Sequence, residues 1–415
     1  MSLIKSISGI RGTIGGEPGS SLTPVDIVSY TSAFGKMVKD RWSTAGGKRI
    51  KIVVGRDARI SGPMLEPLVV NTLLLMGIDV VSAGLATTPT VEMAVKISGA
   101  DAGIILTASH NPENWNALKL LNERGEFLPD ADGKELLRIA EAGRFDYPGI
   151  GELGRLEKGD YLSRHIRSII ELPLVESKAI GRAGFTVVVD AVNSVGGFAV
   201  PDLLGALGVN DVICMNCDPD GRFAHDPEPL PENLTGISKR VMEEKADLGI
   251  VVDPDVDRLA LVCEDGSLFG EEYTLVAVAD YVLGRQKGNT VSNMSSSLAL
   301  RDISLKHGCK YYSSPVGEVN VVEKMKETGA VIGGEGNGGV IYPELHYGRD
   351  ALLGIALFLS KLALVNIKMT ELRADFRITS WSKRKYAWIH WTRPIMSWQN
   401  LPGILPETSL ISGMV

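Results

Sequence analysis

Three short stretches of the 415-residue chain combine residue types that can do chemistry. The first is Thr107-Ala-Ser109-His110-Asn111-Pro112. It sets a hydroxyl directly after an apolar run, and Asn111 and Pro112 turn the chain away. A Ser–His–acid hydrolase would use such a serine, but neighbouring Ser109 and His110 do not normally face each other, and no Gly-x-Ser-x-Gly surrounds them. A serine that accepts a phosphoryl group is the second reading, and a plain Asn-Pro turn the third. The second stretch is Asp253-Pro-Asp255-Val-Asp257-Arg258, where three carboxylates at alternate positions can converge on one hard cation. Glu264 even falls at position 12 of an EF-hand spacing, but Arg258 stands where that loop needs glycine and both flanks read as strands. The pattern therefore predicts a divalent-metal loop, neither a calcium sensor nor a solvated acidic turn. The third is Gly333-Gly-Glu335-Gly-Asn337-Gly-Gly339. Its Gly-x-Gly-x-x-Gly spacing suits a dinucleotide, yet the acid inside the loop would repel a pyrophosphate. A carboxylate and an amide on a flexible backbone suit paired sugar hydroxyls; a glycine-rich turn is the bland alternative. Arg11, Arg56, Arg59, Lys119 and Arg258 lie in or near glycine- or turn-rich loops, where a cation can reach a phosphate.

The elements that must hold these loops read as α/β units. Lys51-Ile-Val-Val, Asp79-Val-Val, Val91 to Val95 and Ala102-Gly-Ile-Ile-Leu are β-like runs, with a helical pattern from about Gly62 to Met76. A polar stretch from Ala142 to Gly159 reads as a boundary. A second unit runs from Phe185-Thr-Val-Val-Val-Asp190 through the turn Asn193 to Gly197 and closes at Leu248-Gly-Ile-Val-Val. A third passes Leu259, Val291, Tyr311 and Val331 to a helix near Asp350 to Leu364. Strands alternating with helices predict largely parallel sheets, whose ligands bind just beyond the strand ends. All three loops follow a strand.

Apolar residues make up 44% and charged residues 22%, which excludes a mainly disordered chain. The net charge of -7 provides no global field for nucleic acid or an anionic membrane, so neither is an expected partner, and an anionic ligand needs local cations. No run approaches a spanning helix, and Met1 to Gly12 lacks a signal-peptide core, which predicts a cytoplasmic protein. Cys214 and Cys217 form a lone C-x-x-C without nearby histidines, read as ordinary reduced thiols. From Glu371 to Val415 the composition changes: six Lys/Arg stand against three Asp/Glu, and four of the six tryptophans fall here. An altered terminal domain is a better reading than a single-strand nucleic-acid platform, which needs a groove.

In combination and order, Ser8-Gly-Ile-Arg-Gly, the serine loop, the aspartate loop and Gly334-Glu-Gly-Asn-Gly-Gly resemble the α-D-phosphohexomutase family. Gly55-Arg-Asp and Pro315-Val-Gly-Glu-Val-Asn also fit, and the likeness covers roughly residues 1–370. The resemblance implies three similar mixed α/β domains around a central cleft, over 1–150, 155–255 and 256–370, with 371–415 an incomplete fourth. It implies a phosphoserine at Ser109, and Asp253, Asp255 and Asp257 holding one Mg²⁺ with it. Arg11, His110, Lys119 and Arg258 would surround the transferring group, with Lys119 moving the proton, and Glu335 and Asn337 would bind sugar hydroxyls. The implied activity interconverts hexose 6-phosphate and hexose 1-phosphate through a hexose bisphosphate, which also serves as activator. Glucosamine phosphate is the first-choice substrate, mannose and glucose phosphates the alternatives, and no oligomeric state follows. Three departures stand out: Pro254 and Val256 replace small residues, Gly339 stands where several relatives carry histidine, and the fourth-domain phosphate loop is nowhere in the chain. A phosphosugar-binding protein of poor activity is therefore the competing reading.

Overall fold

Ala102–Leu106 and Leu248–Val252 are continuous apolar runs with a parallel neighbour, stable only when both sheet faces are covered, and both are buried at every position, as is the antiparallel Leu259–Cys263. A computed structural model describes residues 2–6, 9–42 and 49–376 and arranges their strands in three sheets. The first orders Ile4–Ser6, Gly9–Thr13, Trp115–Leu121, Ala102–Leu106, Lys51–Arg56, Asp79–Leu85 and Leu156–Lys158. The second orders Leu259–Cys263, Leu248–Val252, Thr186–Asp190 and Asp211–Met215. The third orders Tyr311–Ser314, Asn289–Asn293, Ala330–Gly334 and Val340–Ile341.

One pattern recurs in all three. A first strand lies between the second and the third, both parallel to it, and a fourth strand turns back antiparallel to the third. Helices Gly62–Leu75 and Thr88–Ser98, Gly196–Ala206 and Thr235–Glu244, and Ala299–Lys306 and Glu318–Thr328 make the crossovers. The three chemical loops occupy the same place in this repeat, between third and fourth strands. Each reversal carries a residue with left-handed backbone: Ser109 at φ 48°, Val256 at φ 61° and Gly338 at φ 83°. That conformation is free only for glycine, so at Ser109 and Val256 the surrounding structure must impose it. The α/β class and the repeated units agree with the sequence reading.

Three local readings change. Val91 to Val95 is helical, because Thr87 accepts from the Thr90 N–H at 3.0 Å and Gly99 closes the helix at φ 60°. Within the expected boundary, Leu156–Lys158 pairs with Val80–Ser82 and extends the first sheet. The change of composition at Glu371 falls inside helix Met369–Ala374, where Leu372 and then Phe376 are buried, Phe376 against Phe269. Residues 377–415, with the four tail tryptophans, lie outside the described residues. The cysteines are unpaired, as expected. No helix among the described residues is long and apolar enough to cross a membrane.

Candidate active site

The reversal after Leu106, which carries Ser109, is clamped along its backbone. The clamp is Arg59, fully buried. Its guanidinium donates to the carbonyls of Ser109 and Asn111, of Pro112 at 2.6 Å and Trp115 at 3.0 Å, and to Asp57 Oδ2 at 3.1 Å. All five guanidinium N–H groups are thus used on the protein itself. Arg59 is no phosphate ligand, contrary to its sequence reading. Arg56 is likewise engaged, with Glu66 at 2.8 Å and the Asp57 carbonyl. In Arg59→Lys, three donors replace five in a fork, so at least two acceptors lose their partner. We expect a stability loss of about 1–3 kcal/mol per orphaned carbonyl in urea titrations. A loss below about 1 kcal/mol would show that the loop holds its shape unaided.

The second reversal comes to meet the first. Ser109 Oγ donates to Asp253 Oδ2 at 2.7 Å. Asp253, Asp255 and Asp257 are fully buried, and one oxygen of each lies within 4.8 Å of the others. Burial, then repulsion from Asp257 and Asp255, pushes the Asp253 carboxyl well above its ordinary pKa. Burial would raise Asp255 too, but the Lys119 ammonium at 2.6 Å and the Thr88 hydroxyl at 2.6 Å outweigh it and hold it down. Asp255 Oδ1 and Asp257 Oδ1 have no hydrogen-bond partner. Buried orphan carboxylate oxygens beside a serine hydroxyl are the donor set of a hard divalent cation, so the residues fit Mg²⁺.

The remaining residues line one cleft of about 490 Å³. Ser109, Arg11, His110, Lys119, Arg258, Glu335 and Asn337 all face it. Burial disfavours charge on Lys119, but Asp255 and Asp257 more than restore it, so it stays an ammonium. Burial and then the Arg258 charge push His110 down to about 3, which keeps its imidazole neutral. Nε of both Arg11 and Arg258 has no hydrogen-bond partner. The cleft is therefore prepared for an anion. Glu335 is less free than its reading suggests: it accepts from Asn293 Nδ2 at 2.7 Å and Arg349 at 2.6 Å, with burial opposed chiefly by Arg349 and its pKa lowered. Asn337 Oδ1 accepts from the Gly339 N–H at 3.2 Å and leaves its amide nitrogen for a ligand.

Two residues emerge that the sequence reading did not assign. Arg349 joins the aspartate loop to the third sheet: NH2 donates to Asp257 Oδ2 at 2.6 Å, NH1 to Glu335 and Nε to Glu318 Oε2 at 3.0 Å. Glu318 lines the cleft. Its pKa is raised by burial, against Arg349. Glu318 sits in the Pro315-Val-Gly-Glu-Val-Asn segment, so a signal existed for it; Arg349 carried none.

Comparison with known proteins follows the same division into three. Residues 3–146 match phosphoglucomutase/phosphomannomutase alpha/beta/alpha domain I, 163–266 match domain II and 270–378 match domain III. The chain is 35% identical over 366 residues to a phosphoglucomutase/phosphomannomutase of Thermococcus kodakarensis, covering 88% of this chain and 78% of that one. It is 35% identical over 357 residues to a protein named "Probable phosphoglucosamine mutase" in Pyrococcus abyssi, covering 86% and 74%. A crystal structure of a family protein from Burkholderia thailandensis superposes with a TM-score of 0.77 at 28% identity, covering 90% and 80%. Likeness in sequence and fold over most of both chains leaves one conclusion: this protein belongs to the phosphoglucomutase/phosphomannomutase family and is a phosphohexomutase.

Proposed function

We propose that the chain interconverts hexose 6-phosphate and hexose 1-phosphate by way of phosphoserine at Ser109, with glucosamine phosphate as substrate. The observation that carries the mechanism is the 2.7 Å contact between Ser109 Oγ and Asp253 at the floor of a cation-lined cleft. The substrate name rests on relatives such as the Pyrococcus abyssi protein; mannose and glucose phosphates are the competing substrates. In this reading the domains are 1–150, 155–255 and 256–370, followed by a fourth segment over 371–415.

Arg11 and Arg258 bind the phosphoryl oxygens, and Glu335 and Asn337 orient the sugar from the opposite wall. The free hydroxyl of the sugar attacks the phosphorus of phosphorylated Ser109, and the P–O bond to Ser109 Oγ breaks. The hydroxyl proton passes to the departing Ser109 oxygen with Lys119 as relay, a role suited to an ammonium already hydrogen-bonded in the cleft. Neutral His110, its Nδ1 3.4 Å from Ser109 Oγ, adds no charge that would compete for the phosphate. The hexose bisphosphate so formed turns over, and its other phosphate returns to Ser109; added bisphosphate therefore activates. Asp253, Asp255, Asp257 and Ser109 would hold Mg²⁺, which when bound supplies positive charge to the transferring group. The rest is positioning by the chain itself. Turnover of hexose 1-phosphates with bisphosphate and Mg²⁺ tests the reading, and inert glucosamine 1-phosphate beside active mannose 1-phosphate would change the substrate.

The metal has its own test. Binding at a hundredfold excess over Kd should stabilise the fold by about 2.7 kcal/mol. Thermal unfolding should show this gain with Mg²⁺, and it should shrink in Asp255→Asn. An unchanged midpoint in the wild type would leave the three aspartates without a metal role.

A further inference from the structure

Apart from the cleft, the described residues hold a second buried group of metal-binding type: His165, His346 and Asp350. It joins helix Leu162–Ile170 to the loop that leads into helix Ala351–Val365, and it packs on helix Thr88–Ser98 through Glu92 and Thr90. Nε2 of His165 lies 2.9 Å, and Nε2 of His346 3.2 Å, from the same oxygen, Asp350 Oδ2. Ligand atoms of a tetrahedral site with bonds of about 2.0–2.1 Å stand about 3.3 Å apart, so these spacings are within a few tenths of an ångström of one.

Histidines that bind a metal have their other ring nitrogen held by a polar partner. His165 Nδ1 is 3.1 Å from Thr90 Oγ1; His346 Nδ1 is 3.1 Å from Glu92 Oε2 and accepts from the Gly348 N–H at 3.1 Å. Asp350 Oδ1 accepts from the Leu353 N–H at 3.1 Å, which turns Oδ2 toward the imidazoles. Glu92 is 1% exposed, its Oε2 faces His346 Nδ1 at 3.1 Å, and it is packed so tightly that a Cβ on Gly348 would lie 1.7 Å from Oε2.

We propose that His165, His346 and Asp350 bind a divalent transition-metal ion of the zinc type, oriented by Glu92 and Thr90, that ties these three elements together. Two imidazoles set this site apart from the oxygen-only aspartate loop, which suits Mg²⁺. The one chain thus sorts two metals by donor type.

Cobalt and zinc are the probes. The full chain, stripped with EDTA, should take up one equivalent of CoCl₂ with the visible absorption of four-coordinate cobalt, and ZnCl₂ should displace it. The band should persist in Asp255→Asn, which disarms only the cleft loop. Glu92→Gln keeps the shape but removes the outer carboxylate, and zinc affinity should fall about 10–100-fold. X-ray absorption of the zinc-loaded wild type, which needs no variant to fold, should count two imidazoles. Absence of the band in the wild type, its loss in Asp255→Asn, an oxygen-only zinc shell, or unchanged affinity in Glu92→Gln would each overturn the assignment and leave a hydrogen-bonded pin.

Discussion

Ser109→Ala is expected to abolish phosphate uptake and to lower turnover by at least about 10⁴-fold, or about 5.4 kcal/mol of barrier. A nucleophilic side chain divides one difficult transfer into two easier ones, and alanine offers no oxygen to carry the phosphoryl group between them. The fold should survive. The clamp on the loop runs from Arg59 to backbone carbonyls, and the Ser109 N–H still donates to Thr107 Oγ1 at 3.0 Å. Intact-protein mass spectrometry after incubation with a hexose bisphosphate should therefore show one phosphoryl group on the wild type and none on the variant. A wild type that never takes up phosphate, or a variant that does, would defeat the covalent mechanism.

Arg349→Met is expected to cost about 3–5 kcal/mol of stability, the effect of breaking a buried ion pair from one side. Asp257, Glu318 and Glu335 all lean on this guanidinium. Burial works against its charge, yet those carboxylates, Asp257 foremost, hold its pKa well above the ordinary value. Methionine fills the volume and leaves three carboxylates facing one another. The denaturant midpoint should fall, and Mg²⁺ should restore more stability in the variant than in the wild type, because Asp257 has lost its resident cation. A loss below about 1 kcal/mol would show that the carboxylates find other partners. Since Glu335 also loses its support, KM for the sugar phosphate should rise in whatever fraction remains folded.

The loops themselves were legible because their patterns are local. Ser109 with Asn111-Pro112, and three aspartates at alternate positions after an apolar run, are patterns within six residues. What held them was not legible, because the partners are distant in sequence. Arg59 reaches a loop 50 residues away, and Arg349 reaches Asp257 across 92. Read alone, Arg59 is a cation in a glycine-rich loop; only the fold shows that its donors are used up. The pair His165–Asp350 spans 185 residues and gave no sign at all. Val91 to Val95 misled for another reason: β-branched residues favour strands, but the Thr87 cap, Pro89 and the Gly99 stop outweighed that preference. Ala102–Leu106 was read to the residue, since its apolar run is short and bounded by turn signals.

The left-handed residue at each of the three strand reversals separates the tasks. Ser109, the three aspartates, and Glu335 with Asn337 each hang from their own turn between a third and a fourth strand. On the proposed reading, a change in Gly336 or Asn337 would retune which sugar is accepted while the Arg59 clamp on the Ser109 turn stays in place. Between relatives, substrate preference can drift while the phosphoryl-transfer apparatus stays as it is.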